Sequence, residues 1–304
     1  MAGFDIKNAP PQKGRIAIVT GANIGVGYET SLALAGKGMK VVMACRNLEK
    51  AEKAKESIAQ KAHNADLDII QLDLNSLQSV REFAEAYSAI HNRLDLLINN
   101  AGIMVPPFAQ TEEGFESQMG VNYFAHFALT QLLLPVLSGT EGSRVVSLSS
   151  LAHKRATIDF DNLNSEKSYS KMGAYGQSKL ACLLFAYELQ RRLAAAGSQT
   201  ISVAAHPGVS ETNLGQHLSA VGKLLWAAFS PFMMHKPKQA TMPSLYAALA
   251  EEVKGGGYVG PTGFKEMKGT PGKVQSNSIS HDKAVAQKLW EVSEKLTKTK
   301  FQLR

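Results

Sequence analysis

Only two cysteines, Cys45 and Cys182, occur among 304 residues, and they form no CxxC pair. That excludes a disulfide framework and makes a reducing compartment the expected setting. No run of about 18 apolar residues is present, which argues against an integral membrane segment. The most apolar stretch, Leu224 to Met234, is short and contains Pro231. The first residues carry no apolar h-region, so no secretory signal is legible and a soluble, cytoplasmic protein is the expectation. Pro/Ser-rich linkers and internal repeats are missing, which points to one domain. The eight histidines show neither HExxH nor clustered ligand spacing, so no metal site is expected. No GxSxG elbow accompanies the serines, against a hydrolase triad.

Charge is modestly one-sided, with 33 basic and 26 acidic residues. The excess gathers late: Lys265 to Arg304 holds nine basic and four acidic residues. Without interleaved aromatics or a binding module, this reads as a solvated basic face, and no nucleic-acid partner is expected.

Short apolar runs alternate with helical patterns. Arg15–Thr20, Lys40–Ala44, Leu67–Leu72, Leu94–Asn99, Ser143–Ser149 and Thr200–Ala205 read as strands buried on both faces. Helical patterns cover Gly27–Lys37, Leu48–Lys61, Ser76–Ile90, Glu113–Leu137 and Gly173–Ala196. The alternation predicts βαβ units, hence a doubly wound α/β parallel sheet with helices on both faces. Residues 213–257 read as a helical excursion; its apolar stretch Leu224–Met234, with Trp226, Phe229, Phe232, Met233 and Met234, reads either as core or as a lid over an apolar substrate pocket.

The first strand ends in Thr20-Gly21-Ala22-Asn23-Ile24-Gly25-Val26-Gly27. This GxxxGxG run opens a helix, whose N-terminal N–H groups and positive dipole end suit a pyrophosphate. The second strand ends in Ala44-Cys45-Arg46, with no carboxylate to bind ribose hydroxyls or repel a 2′-phosphate. Arg46 could pair with that phosphate, so NADP(H) is expected over NAD(H). Tyr175 and Lys179 stand at i and i+4 on one helical face. A phenol is a weak acid, and an ammonium nearby favours the phenolate. Asn99-Asn100-Ala101-Gly102 and Ser149-Ser150 end the fourth and fifth strands, at the sheet edge where open α/β folds bind ligands.

Together TGANIGVG, Asp73, NNAG, Asn122 in VNYFAHF, VSLSS, YGQSK and Pro207-Gly208 resemble the short-chain dehydrogenase/reductase family over nearly the whole chain. ACRN, SSLAHKRATIDFDNL and AYGQSKLACLLFAYELQRRL are similar to its retinol dehydrogenase-like and WW-domain oxidoreductase-like branch. Many animal retinol dehydrogenases are membrane-anchored, and no anchor is legible here. The resemblance implies a single-domain Rossmann-type fold over residues 1–304 and an NADP-dependent carbonyl reductase or alcohol dehydrogenase. It implies that Tyr175 is the acid or base, that Lys179 assists it and bonds the nicotinamide ribose, and that Ser150 rather than Ser149 polarises the carbonyl. Asn122 would hold a water linking Lys179 to solvent. Gly21, Asn23, Ile24, Gly25 and Gly27 would cradle the pyrophosphate, with Arg46 at the 2′-phosphate. Asp73 and the backbone of Leu74 would meet the adenine. Asn99, Ala101 and Gly102 would line the cofactor cleft, and Pro207, Gly208, Val209 and Thr212 would contact the carboxamide. The substrate is expected to be a small-molecule aldehyde, ketone or alcohol, apolar or bulky. A homodimer through the two long helices is an expectation alongside a monomer. His153 reads as a surface residue, Cys45 as partly buried beside the adenosine, and Cys182 as helix core. Two alternatives are a C=C reductase of the protochlorophyllide reductase type, which shares TGxxxGxG and YxxxK, and an NADP(H)-sensing regulator without turnover, which would need no full Asn-Ser-Tyr-Lys set.

Overall fold

The computed structural model describes residues 4–209 and 236–302. Eight strands form one sheet: β1 (Ile16–Thr20), β2 (Lys40–Cys45), β3 (Leu67–Gln71), β4 (Leu96–Asn99), β5 (Arg144–Leu148), β6 (Ile201–Ala205), β7 (Tyr258–Pro261) and β8 (Pro271–Lys273). Their order is β3-β2-β1-β4-β5-β6-β7-β8. All neighbours run parallel except β8, which pairs antiparallel with β7. The chain order reverses between β1 and β4, which opens a crevice at the carboxyl ends of these strands.

Apolar residues at successive strand positions feed two cores. Ile18, Val42, Leu97 and Val145 face one layer, while Ala17, Val19, Val41, Met43, Ile98 and Val146 face the other. Helices α1 (Gly25–Ala35) and α2 (Leu48–Lys61) pack on the second layer. Helices α3 (Leu77–Ile90), α4 (Ser117–Ser138) and α5 (Lys171–Ala195) pack on the first. This is the three-layer, single-domain Rossmann-type arrangement expected.

Helix α4 starts four residues later than its apolar pattern suggests. Gly114 turns the chain at φ +82°, and the Glu116 carboxylate then caps the helix by accepting N–H bonds from Gln118 and Met119 at 2.9 Å. Residues Gly120–Phe124 form one wide π turn that carries Asn122. By length and composition α4 could cross a membrane, but 78% of its most apolar window is buried in the fold.

The excursion expected over 213–257 divides. Thr212 and residues 213–235, including Trp226, Phe229 and Met233, lie outside the described residues. The following helices, α6 (Pro237–Ala240) and α7 (Met242–Leu249), are not lid-like: Leu245, Ala247 and Ala248 are buried in the core layer shared with α1 and α2. Their apolar face belongs to the sheet.

The basic C-terminal region forms α8 (Lys283–Thr297). Ala286, Leu289, Trp290, Ser293 and Thr297 make its buried face, and Lys283, Lys288, Lys295 and Lys298 point outward. Trp290 sits edge-on to Phe127 at 5.1 Å and stacks on Phe185 at 5.9 Å. Within one chain, α8 therefore covers part of the α4–α5 face on which the homodimer expectation rested.

Candidate active site

The glycine turn is built for close approach. Gly21 and Gly25 take φ +67° and +59°, and the Gly21 N–H bonds the Ala44 carbonyl at 2.9 Å. A Cβ on Gly27 would press into the Gly21 carbonyl and lie 2.6 Å from Asn100 Nδ2. Helix α1 begins with Ile24 at its N-cap, with no side-chain cap and no acidic residue in the first turn. Its leading N–H groups are thus open to an anion, which fits a dinucleotide pyrophosphate. Ile24 is 65% exposed at this edge, with Asn23 beside it. Cys45 is buried beneath the turn rather than partly exposed: the Ala22 and Asn23 backbone bonds its sulfur, and burial pushes the thiol up to about 11.

Arg46 is exposed at the end of β2 and makes no ion pair with another described residue. Asp73 accepts the Asn75 N–H at 2.9 Å, while the Leu74 side chain is buried in the core.

At the β1–β4 edge the Thr20 hydroxyl accepts the N–H groups of Asn100 and Ala101, each at 2.9 Å. His126 Nδ1 lies 3.0 Å from the Asn122 carbonyl and its Nε2 2.9 Å from Thr20 Oγ1. Asn99 does not line the cleft with its side chain. It is 4% exposed and donates to Thr130 Oγ1 at 3.0 Å on the α4 side. Asn99 stands two residues after Leu97, so it faces the same layer.

Gly102 makes room for the catalytic candidates. A Cβ there would lie 3.1 Å from Asn122 Oδ1 and 3.2 Å from Lys179 Nζ. The Asn122 amide is spent on the protein: Oδ1 accepts the Ile103 N–H at 2.8 Å, and Nδ2 donates to the Ile103 carbonyl at 3.0 Å and to Ser178 Oγ at 2.9 Å. Lys179 is 5% exposed, donates to the Leu148 carbonyl at 3.1 Å, and lies 5.9 Å from the Tyr175 ring centre. It forms no salt bridge with a described carboxylate, which leaves its charge available to an anion in the cleft. Ser149 is turned inward, its hydroxyl donating to the Lys179 carbonyl at 2.7 Å. Ser150 is only partly buried and accepts the Ala152 N–H at 3.3 Å as it opens the turn Leu151–Arg155. Cys182 is in the helix core, its thiol 3.3 Å from the Asn122 carbonyl.

His153 is a buried residue, not a surface one. Its Nδ1 donates to the Ser150 carbonyl at 2.6 Å, and the His153 carbonyl accepts from Asn277 Nδ2 at 2.8 Å. Burial holds its imidazole down at about 4. The other wall begins at Pro207-Gly208-Val209. Gly208 turns at φ +75°, its N–H donates to His206 Nδ1 at 3.2 Å, and the Val209 N–H bonds the Met267 carbonyl at 3.0 Å. Buried His206 lies 3.3 Å from Glu266, whose other oxygen meets Lys154 at 2.8 Å. Thr20, His126, His206 and Glu266 carried no motif signal of their own. Thr20 opens TGANIGVG and His126 lies in VNYFAHF, one helical turn after Asn122, whereas His206 and Glu266 stand outside every motif.

A model of the short chain dehydrogenases matches residues 15–221. The chain belongs to the short-chain dehydrogenase family. Among curated short-chain dehydrogenases, human retinol dehydrogenase 13 is 42% identical over 295 residues, covering 93% of this chain and 84% of the relative. Mouse polyprenol dehydrogenase is 40% identical over 294 residues, covering 95% and 85%. A crystal structure of an uncharacterized Mycobacterium paratuberculosis protein aligns with TM-score 0.84 at 40% identity, over 99% of this chain and all of that one. The Pseudomonas aeruginosa RhlG/NADP active-site complex aligns with TM-score 0.66 at 25% identity, over 81% and 94%.

In this short-chain dehydrogenase, a cavity of about 680 Å³ adjoins the Ser150 and Tyr175 segments. Leu151, Ala152, Ala156, Met172, Gly173, Gly176, Val209 and Met267 line it, with Lys154, Arg155 and Lys265 among them. Its walls come from the turn after β5, the start of α5, the Pro207-Gly208-Val209 turn and the loop after β7.

Proposed function

We propose that this chain is an NADP(H)-dependent oxidoreductase that interconverts an apolar aldehyde or ketone and the corresponding alcohol. The observation that carries this reading is the buried Lys179 ammonium, without a carboxylate partner among the described residues, beside the Tyr175 ring. A bound nicotinamide supplies or takes the hydride. The first turn of α1 would hold its pyrophosphate, and Arg46 a 2′-phosphate. An NADP complex of a structural neighbour supports that cofactor, and the apolar alcohols named for the curated relatives support an apolar substrate.

In reduction the Tyr175 hydroxyl gives its proton to the carbonyl oxygen, and in oxidation the phenolate takes it back. Lys179 stabilises that phenolate. The Ser150 hydroxyl hydrogen-bonds the same substrate oxygen and polarises the carbonyl without giving up its proton, a task open to it because Ser149, not Ser150, is tied to α5. Asn122 braces Ile103 against Ser178 and so holds the floor on which Lys179 lies. A relay water beside it would connect Lys179 to solvent. Reduction is the favoured direction in a cell rich in NADPH.

The test is cofactor consumption with a panel of aliphatic and aromatic aldehydes and ketones, with NADPH and with NADH. The expected result is turnover with NADPH preferred. Tight NADPH binding without turnover of any carbonyl would favour a sensor and reject the reading.

A further inference from the structure

The cavity beside Tyr175 has apolar walls, yet three cations reach it from two separate segments. Lys154 and Arg155 come from the turn after β5, and Lys265 from the loop after β7. None of its described lining residues is acidic. Lys154 is neutralised, with its Nζ 2.8 Å from Glu266 Oε1. Arg155 and Lys265 are exposed at the cavity edge and form no salt bridge with another described residue.

The backbone that delivers Lys265 is strained. Lys265 and Glu266 take consecutive left-handed conformations, φ 49° and 56°, a region unfavourable for residues with a Cβ. Such a pair persists only where its surroundings over-determine it, and it concentrates where function needs it. Here the turn is held from inside: Glu266 reaches His206 and Lys154, and the next residue, Met267, accepts the Val209 N–H. With Glu266 turned inward to these partners, Lys265 is left on the cavity. An apolar chamber edged by two cations that have no carboxylate partner among the described residues, Lys265 resting only over the Phe264 ring at 5.3 Å, suits a ligand with an apolar body and one negative end.

We propose that the cavity takes a carbonyl compound, or its alcohol, whose apolar chain ends in an anionic group, carboxylate or phosphate, held by Arg155 and Lys265. This rests on the reading of the cavity as the substrate site of the proposed oxidoreductase. The apolar lining buries the chain, and the guanidinium of Arg155 offers paired donors to the anionic oxygens.

The experiment compares kcat/KM with NADPH for 9-oxononanoate, its methyl ester, nonanal and 9-oxononyl phosphate, at low and high salt. The wild type is compared with an Arg155→Gln, Lys265→Gln variant. The acid or the phosphate is expected to exceed the ester by about tenfold at low salt, with the advantage falling as salt is added and vanishing in the variant. Whichever anion gains more identifies the terminal group. Equal values for acid, phosphate and ester, with all turned over, overturn the anionic pocket and leave the oxidoreductase intact. If no carbonyl is turned over, the oxidoreductase reading fails, and calorimetric binding of decanoate against decan-1-ol by the NADP-loaded protein decides the pocket separately. Decanoate bound more tightly, and only by the wild type, supports it; equal binding overturns it.

Discussion

His126 Nε2 and Thr20 Oγ1 lie 2.9 Å apart, and this contact joins the ends of β1, β4 and the π turn of α4. The Asn122 carbonyl can only accept, so His126 carries its proton on Nδ1, and the Thr20 hydroxyl donates to Nε2. The lone pairs of Thr20 then take the N–H groups of Asn100 and Ala101. The knot ties the glycine turn to the Asn122 segment.

Replacing Thr20 with Val keeps the shape but leaves the buried His126 Nε2 and the half-buried Ala101 N–H without their partner, while the Asn100 N–H keeps the Ile98 carbonyl. The loss of unfolding free energy is expected to be about 2–4 kcal/mol in urea denaturation, with Thr20→Ser close to wild type. A Val variant as stable as wild type would show that the knot carries no weight.

Buried histidines set an acid limit. Burial holds both His126 and His153 at about 4 in the native state, against about 6.5 in an unfolded chain. The native pKa is the lower one, so the unfolded chain binds more protons between these values. Stability from this source is complete above about pH 6.5 and is lost as pH falls towards 4. Each histidine contributes on the order of 3 kcal/mol to that slope. Asp95 and Glu266, whose carboxyls are lowered overall by their cationic partners against the opposing effect of burial, add a further loss at lower pH. Urea midpoints at pH 7.5, 6 and 5 should fall steeply, and less steeply in His153→Gln.

Arg46 is where the two cofactors should part. Arg46→Ala is expected to lower kcat/KM with NADPH by about tenfold or more while NADH changes little, since only one cofactor offers a phosphate to the guanidinium. An equal fall with both would remove Arg46 from cofactor selection.

Trp290 should anchor α8. Its ring meets Phe127, Phe185 and Phe301, and it is 1% exposed. Trp290→Ala is expected to cost about 3–5 kcal/mol in denaturant unfolding. The same variant uncovers the α4–α5 face, so light scattering would report whether that face then self-associates.

Six of the eight strands were legible because their residues are apolar at successive positions, the mark of burial on both sides. Strands β7 and β8 were not. They are four and three residues long and rich in Gly and Pro, and Gly260 matters for the side chain it lacks, because the His206 ring occupies that space. Helix α8 was readable in principle from Ala286, Leu289, Trp290 and Ser293, but its outward lysines dominated as net charge. The glycine turn, Tyr175, Lys179 and Ser150 were legible because each follows a strand end or shares a helical turn. The inward face of Asn99 followed from alternation with Leu97 and was obscured by its motif. The burial of His153 and the pairing of His206 with Glu266 depend on partners far away in sequence, at Asn277 and 60 residues on, where local patterns carry no information.

The central claim is that the Tyr175 hydroxyl moves the proton in the cleft where Lys179 lies. The most direct measurement is kcat for a turned-over aldehyde, alongside NADPH affinity, in Tyr175→Phe. The account predicts that kcat falls by about 10²–10⁴ while NADPH binds as tightly as in the wild type. Full turnover in that variant would contradict it.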